Sequence, residues 1–276
     1  MMDDKEYKQM IKQSFNAASV GYDNAAMRFF DKSAEYLTHF LSLKGNENVL
    51  DVSTGTGKSA LSLARCLTEG HVTGIDLSEG MLKQAQNKAK ENKLTNVSFQ
   101  CMDVDALDFP SNHFDCVCCS FGIFFLPDME KALEKIINAL KPGGCIAITS
   151  FLDGSFRPLS DLCLDRFKKF GVKLPEHYTW GRLDHPDKHR DLFETGSLKN
   201  IKSQTKQMGY YLENKEQWWD LICYSGFRGF LNQIPEEDQP RYKEEHLAEI
   251  EAVSTKEGIW LNVEVIFTLG YKVKYE

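Results

Sequence analysis

From Asn48 onward, short apolar runs rich in Val and Ile alternate with amphipathic stretches of helical period, and most runs stop at a small or acidic residue. This alternation constrains the fold more than any other feature. Asn48–Val52 reads as a first strand, followed by a helix from about Lys58 to Leu67. His71–Asp76 is a second strand, and Ser78 caps a helix that runs to about Asn92. Val97–Met102 and Phe114–Cys119 are the third and fourth strands. Pro127 starts a helix ending near Lys141, and Pro142-Gly143-Gly144 turns the chain into a fifth strand, Cys145–Phe151. Strands separated by helices lie parallel, and right-handed crossovers wind the helices over both faces.

The expected fold is α/β: a Rossmann-like, doubly wound, seven-stranded and mostly parallel sheet. A helical arm (1–43) precedes a core (44–152). An insertion (153–200) comes before the closing strands and helices (201–276), all within a single domain, 1–276. In the last part Ile201–Leu212 and Trp260–Val273 read as strands that pair like a hairpin, and Lys215–Leu231 and Glu236–Val253 read as helices. A chain of 276 residues with 42% hydrophobic residues buries a core without metals or disulfides. The net charge of −7 argues against nucleic acid as partner, because phosphate contacts need clustered Lys and Arg. The start, Met1-Met2-Asp3-Asp4-Lys5-Glu6, has no apolar core of a signal peptide, and no run approaches the roughly 20 apolar residues of a membrane helix. Eight cysteines without an export signal point to free thiols and a cytoplasmic location.

Ligands of such sheets bind beyond the carboxyl ends of the strands. Three acids fall there: Asp51, Asp76 and Asp103. The loop Asp51-Val52-Ser53-Thr54-Gly55-Thr56-Gly57-Lys58 supports three functional readings beside a purely geometric one. A nucleotide-hydrolase phosphate loop needs a glycine where Val52 stands, and is rejected. A nicotinamide dinucleotide site fits loosely, but the carboxylate of Asp51 opposes a pyrophosphate. S-adenosylmethionine (SAM) carries positive ammonium and sulfonium groups, which Asp51 favours. Acids at successive strand ends weigh against the merely geometric reading, since Asp76 is placed to accept from ribose hydroxyls and Asp103 from an adenine amino group.

Val49 to Gly57, Gly74-Ile75-Asp76-Leu77-Ser78-Glu79-Gly80-Met81-Leu82, Met102-Asp103-Val104 and Leu140-Lys141-Pro142-Gly143-Gly144 together resemble the class I SAM-dependent methyltransferases. The nearest branch is that of ubiquinone/menaquinone biosynthesis, whose N-terminal arm over the cofactor is similar to Phe15 to Asp23. The resemblance covers about residues 15 to 151. It implies that Ser53, Thr54, Gly55 and Gly57 contact the methionine part, with Asp51 near its amino group. It implies further that Asp76 holds the ribose, Leu77 and Met81 pack on the adenine, Asp103 and Val104 read its edge, Ser120 reaches the methionine end, and Tyr22 closes the site. Ser53 departs from the glycine of many members, and its hydroxyl is an extra group for the cofactor carboxylate.

The implied reaction is methyl transfer to a small-molecule acceptor, quinone-like or another aromatic, apolar metabolite. The alternatives are a nicotinamide-dependent oxidoreductase and a non-catalytic SAM-binding protein. A general base is not identified; the candidates are His177, Tyr178, His185 and His189. No metal site is assigned. Cys116 and Cys119 point to opposite faces of a strand, and His185 and His189 beside Asp184 and Asp187 fit a helix start capped by Asp184 better than a metal cluster. Aromatic residues of the arm and of Asp153–Asp184 are expected to form a lid over the acceptor.

Overall fold

Residues 3–274 are described by the computed structural model; Met1 and Met2 of the N-terminal reading, and Tyr275 and Glu276 at the far end of the expected domain, lie outside the described residues. The arm contains α1 (Asp4–Ala18) and α2 (Phe29–Leu41). Asp3 and Glu6 form a reciprocal capping box that fixes the start of α1. The core then runs β1 (Asn48–Val52), α3 (Lys58–Cys66), β2 (His71–Asp76), α4 (Glu79–Glu91), β3 (Val97–Cys101), β4 (Phe114–Ser120), α5 (Met129–Ala139) and β5 (Leu140–Phe151). Beyond it come α6 (Leu159–Lys169), α7 (Pro186–Thr195), β6 (Lys199–Gln207), β7 (Tyr210–Leu212), α8 (Lys215–Tyr224), α9 (Arg228–Leu231), α10 (Gln239–Ala252), β8 (Ile259–Leu261) and β9 (Glu264–Tyr271).

Seven strands form one sheet in the order β3-β2-β1-β4-β5-β9-β6. All neighbours are parallel except β9, which runs antiparallel to both β5 and β6. The order reverses between β1 and β4, so the crevice of the fold opens beyond their carboxyl ends. Alternation along β1 sends Val49 to the face covered by α2 and α3, and Leu50 and Val52 to the face covered by α5 and α7. Cys116 and Cys119 likewise fall on opposite faces, and the eight cysteines are free thiols. No helix among the described residues is long and apolar enough to cross a membrane.

Past Phe151 the structure corrects several boundaries. Ile201–Leu212 is not one strand: β6 ends at Gln207, and the chain leaves the sheet through Gly209, where a Cβ would lie 2.3 Å from the Leu261 carbonyl. Trp260–Val273 likewise divides, into β8 and β9. Met208 N donates to Val263 O at 2.7 Å, and β7 and β8 continue as a two-stranded stem off the main sheet. The stretch Lys215–Leu231 breaks at Ser225-Gly226 into α8 and α9. The cap of α7 is His185, whose ring accepts from Asp187 N, rather than Asp184, which pairs with Lys188 at 2.7 Å.

Candidate active site

Between β1 and α3 the backbone is left-handed at Ser53 (φ 54°), Gly55 (φ 56°) and Gly57 (φ 81°). The two glycines serve different ends. A Cβ on Gly55 would meet no atom within 4 Å, because the position opens into a cleft. A Cβ on Gly57 would lie 2.9 Å from that of Ala85 and 3.2 Å from the Phe99 ring, so packing of α3 against α4 and β3 requires this glycine. The cleft, about 120 Å³, is lined by ten of the twelve residues singled out in the sequence: Tyr22, Asp51, Ser53, Thr54, Gly55, Asp76, Leu77, Met81, Val104 and Ser120. Gly57 and Asp103 do not line it.

Asp51 lies beneath the loop, 1% exposed. Its carboxylate accepts from Thr54 Oγ1 at 2.6 Å and Cys118 Sγ at 3.2 Å. Burial pushes its pKa up to about 6, against the opposing hydrogen bonds from Thr54, Cys118 and the Ala60 amide, with a smaller upward push from Asp76. Asp76 is oriented by two amides, Gly55 N and Ser78 N, each at 2.8 Å. Burial raises its pKa too, while these amides and that of Leu77 oppose the rise. Asp103 accepts from Asp105 N at 2.9 Å and is paired with Lys8 of α1 at 2.7 Å. Lys8 itself lines the cleft.

The arm is fastened over this cleft by polar contacts. Asn16 Oδ1 accepts from Ser78 Oγ at 2.7 Å and Gly80 N at 2.9 Å. Asp23 accepts from Thr56 Oγ1 at 2.8 Å and pairs with Lys88 at 2.7 Å and Lys58 at 3.1 Å. These contacts carry Phe15, Tyr22 and Phe30 to the cleft. Tyr22 stacks on Phe30, with ring centroids 5.6 Å apart. Burial, then Asp23 and Asp76, keep its hydroxyl protonated far above neutral pH.

A second cavity of about 680 Å³ adjoins the first. Phe15, Tyr22, Phe30, Phe121 and Phe125 line both cavities and form the partition between them. The farther walls hold Phe29, Phe151 and Phe156, whose ring centroids lie 4.9–5.9 Å apart, and Tyr178 stacked on Trp180 at 4.5 Å. Leu221 and Phe227 enter from α8 and the turn before α9. Arg182 ties the 179–183 turn to the loop after β4, donating to Phe124 O and Pro127 O at 3.1 Å and to Leu126 O.

Of the four candidate bases, His177 and Tyr178 line this chamber. His185 is the exposed cap of α7. His189 is fully buried: its Nε2 lies 2.6 Å from Ser150 Oγ, and burial pushes its pKa down to about 4. It packs α7 onto β5 and reaches neither cavity. Sequence reasoning placed Phe121 after the fourth strand without a role, and missed Lys8 and Phe125 at the cleft, and Leu221 and Phe227 at the chamber. The adjacent aromatics after Ser120 were the one local signal for any of them.

The model of the methyltransferase domain family matches residues 49–144. Over 168 residues the chain is 34% identical to the aklanonic acid methyltransferase of Streptomyces sp. (strain C5), covering 57% of this chain and 76% of that protein. Over 233 residues it is 32% identical to the ubiquinone/menaquinone biosynthesis C-methyltransferase of Proteus mirabilis, covering 82% and 89%. Two solved structures share the fold at low identity. The YcgJ protein of Bacillus subtilis has a TM-score of 0.60 at 18% identity, over 88% of this chain and 99% of that one. Phosphoethanolamine N-methyltransferase 2 of Haemonchus contortus, solved with S-adenosylhomocysteine, has a TM-score of 0.58 at 16% identity, over 99% and 61%. With its glycine loop, its strand-end acids and two methyltransferase relatives matched over most of their length, the chain belongs to the class I SAM-dependent methyltransferases.

Proposed function

We propose that the cleft holds SAM and that the adjoining chamber holds a flat, largely apolar aromatic small molecule, which receives the methyl group. The observation that carries this reading is the shared aromatic partition: a cleft at the glycine loop, with Asp51 and Asp76, and a larger chamber walled largely by aromatic rings meet at five side chains. When bound, SAM supplies an electrophilic methyl group on a sulfonium. The residues present suit it. The open position above Gly55 leaves room for a ligand beside the loop backbone, and Asp76 is held by amides so that its remaining acceptor capacity serves ribose hydroxyls. Asp51 places negative charge below the methionine end, Leu77, Met81 and Val104 offer apolar surface to the adenine, Ser53, Thr54 and Ser120 border the methionine end, and Tyr22 covers it. Gly57 acts by shaping the loop.

Asp103 serves the adenine edge in this reading only when its carboxylate is shared with, or released by, Lys8. The arm (1–43), core (44–152), insertion (153–200) and closing segment (201–276) act as one catalytic domain. The chamber's size falls in the range of sites for drug-sized molecules, which favours a small molecule over nucleic acid as the partner. Free thiols throughout support a cytoplasmic location. The nicotinamide alternative loses ground because Asp51 is buried directly beneath the loop a pyrophosphate would need.

Calorimetric titration with S-adenosylhomocysteine tests the site. Asp76→Ala should fold normally and bind about 10- to 150-fold more weakly, the loss for hydrogen bonds to a charged acceptor. Unchanged affinity in a folded variant overturns the assignment of the cleft.

A further inference from the structure

Eight non-glycine residues have a left-handed backbone among the described residues, and two of them are aromatic: Phe121 (φ 55°) and Phe156 (φ 70°). This conformation crowds the Cβ of any L-residue, and in a bulky one it marks a constraint stronger than local preference. Both rings line the chamber, and Phe121 lines the cleft as well. A glycine stands next to Phe121, yet the left-handed conformation does not fall on it. Gly122 takes φ −114°, a value open to any residue. Its small size serves closeness instead: a Cβ there would lie 2.4 Å from that of Ser53, where β1 and β4 part.

The strained turn carries the Phe121 ring across the sheet. Along β4, Cys116 and Cys118 lie on the face covered by α2 and α3, and Val117 and Cys119 on the face covered by α5 and α7. Continued alternation would send Phe121 to the second face. The left-handed turn brings it to the first. There its ring meets Phe30 of α2 edge-on at 5.0 Å and Phe151 of β5 at 4.6 Å, while its amide donates to Thr149 O at 3.0 Å. Phe15 and Tyr22 of the partition belong to α1 and the turn after it. Phe121 is held by the sheet itself, directly after Ser120 of the cleft, and its ring rests on Phe151 of the chamber's farther wall.

Building on the proposed function, we propose that Phe121 is a specificity-determining residue: its ring is the fixed stop that confines an aromatic acceptor to the chamber and leaves the cleft to the methyl donor. Both cavities have apolar surface within reach of a flat ring, since Leu77, Met81 and Val104 line the cleft. Without a divider an aromatic molecule could slide into the adenine side of the cleft and block the donor. The left-handed backbone places a ring anchored in the sheet, and not only rings of the arm, at that junction.

The test uses full-length protein, S-adenosylhomocysteine and N-phenyl-1-naphthylamine, a neutral aromatic probe whose fluorescence rises in apolar surroundings. Affinity for S-adenosylhomocysteine is measured by calorimetry with and without the probe. In wild type the probe should bind and leave that affinity undiminished. In Phe121→Gly the probe at about five times its own Kd should weaken S-adenosylhomocysteine binding about sixfold, the factor for full competition. Phe121→Tyr restores the ring and should behave as wild type. Phe121→Gly should also unfold at a higher urea concentration than Phe121→Ala, since both lack the ring and only glycine is at ease at this φ. Independent binding of the two ligands in folded Phe121→Gly overturns the proposal, and so does competition already present in wild type. If Phe121→Gly does not fold, Phe121→Leu decides: it shortens the stop, and undiminished affinity in the presence of probe overturns the proposal there too. An alanine variant as stable as the glycine one overturns the strain on which the assignment stands. Wild type that binds S-adenosylhomocysteine but not the probe overturns instead the reading of the chamber on which the proposal rests.

Discussion

Asp51 shows at the scale of one residue how a buried carboxylate beneath the glycine loop weakens the fold that carries it. Its carboxyl titrates at about 6 in the folded protein against an ordinary 3.8, chiefly because burial disfavours the charged form. The folded state therefore holds this proton more tightly than the unfolded chain. The resulting penalty is absent below pH 4, grows as pH rises through 6, and above that amounts to about 3 kcal/mol. Asp51→Asn removes the charge but keeps only part of the hydrogen bonding from Thr54, Cys118 and Ala60. It should gain about 1–3 kcal/mol in urea unfolding at pH 7.5, the advantage fading toward pH 4. The same variant should bind S-adenosylhomocysteine more weakly, with an affinity that no longer drops below pH 6. A variant no more stable than wild type at pH 7.5 would show that Asp51 carries no such penalty.

Among elements, the arm and the insertion resemble each other in aromatic content but not in anchorage. Ala18 is the only fully buried residue of α1, and the helix is held chiefly by Asn16, Lys8 and neighbouring polar contacts. Leu159, Cys163 and Phe167 root α6 in the main core, and Arg182 clamps the turn that follows. Local opening follows the number of buried apolar contacts, so the lid expected from both segments should move in α1 alone, since α2 buries Phe29, Leu37 and Leu41 in the main core. Amides of residues 4–18 should exchange quickly in the free protein and slow when S-adenosylhomocysteine binds, with 159–183 slow in both states. Asn16→Ala, which strips two accepted hydrogen bonds, should speed exchange of the free arm about 5- to 30-fold. Equal protection of the arm with and without ligand would rule the lid out.

The same contrast explains what was legible in advance. Up to Phe151 an acid or a glycine stands at or within a few residues of each strand end, so the strand ends and the three acids could be read locally, although β5 begins at Leu140 and takes in the Pro142-Gly143-Gly144 read as the turn before it. Past Phe151 the lone glycine between β6 and β7, Gly209, is a weak mark inside an otherwise continuous alternation, and its role at the close approach to the Leu261 carbonyl shows only in three dimensions. Lys8 and Phe227 reach their cavities through long-range packing that no local pattern records.

Across the whole molecule, one apolar cluster runs from α2 and α3 over the sheet face into α6, α8 and α10. Trp180, Trp218, Trp219 and Trp260 all lie after Phe151, so their fluorescence reports that side while far-UV ellipticity reports every element. With a shared core the two signals should give one coincident urea transition; separated midpoints would make the segment after Phe151 a folding unit of its own. The stem of β7 and β8 adds something else. The chain between Leu212 and Ile259 departs and returns at paired backbone positions, so in topology it is an overgrown turn. The entropy of closing a turn rises only with the logarithm of its length. The register of the seven-stranded sheet therefore does not depend on the length of this turn, although Trp218, Leu221 and Tyr242 within it are fixed in the main core. Leu221 and Phe227 belong to that turn, whereas the strand-end acids do not. One wall of the larger chamber is thus carried between a single pair of splice points, while Phe151, Phe156, Tyr178 and Trp180 of the same chamber lie outside them.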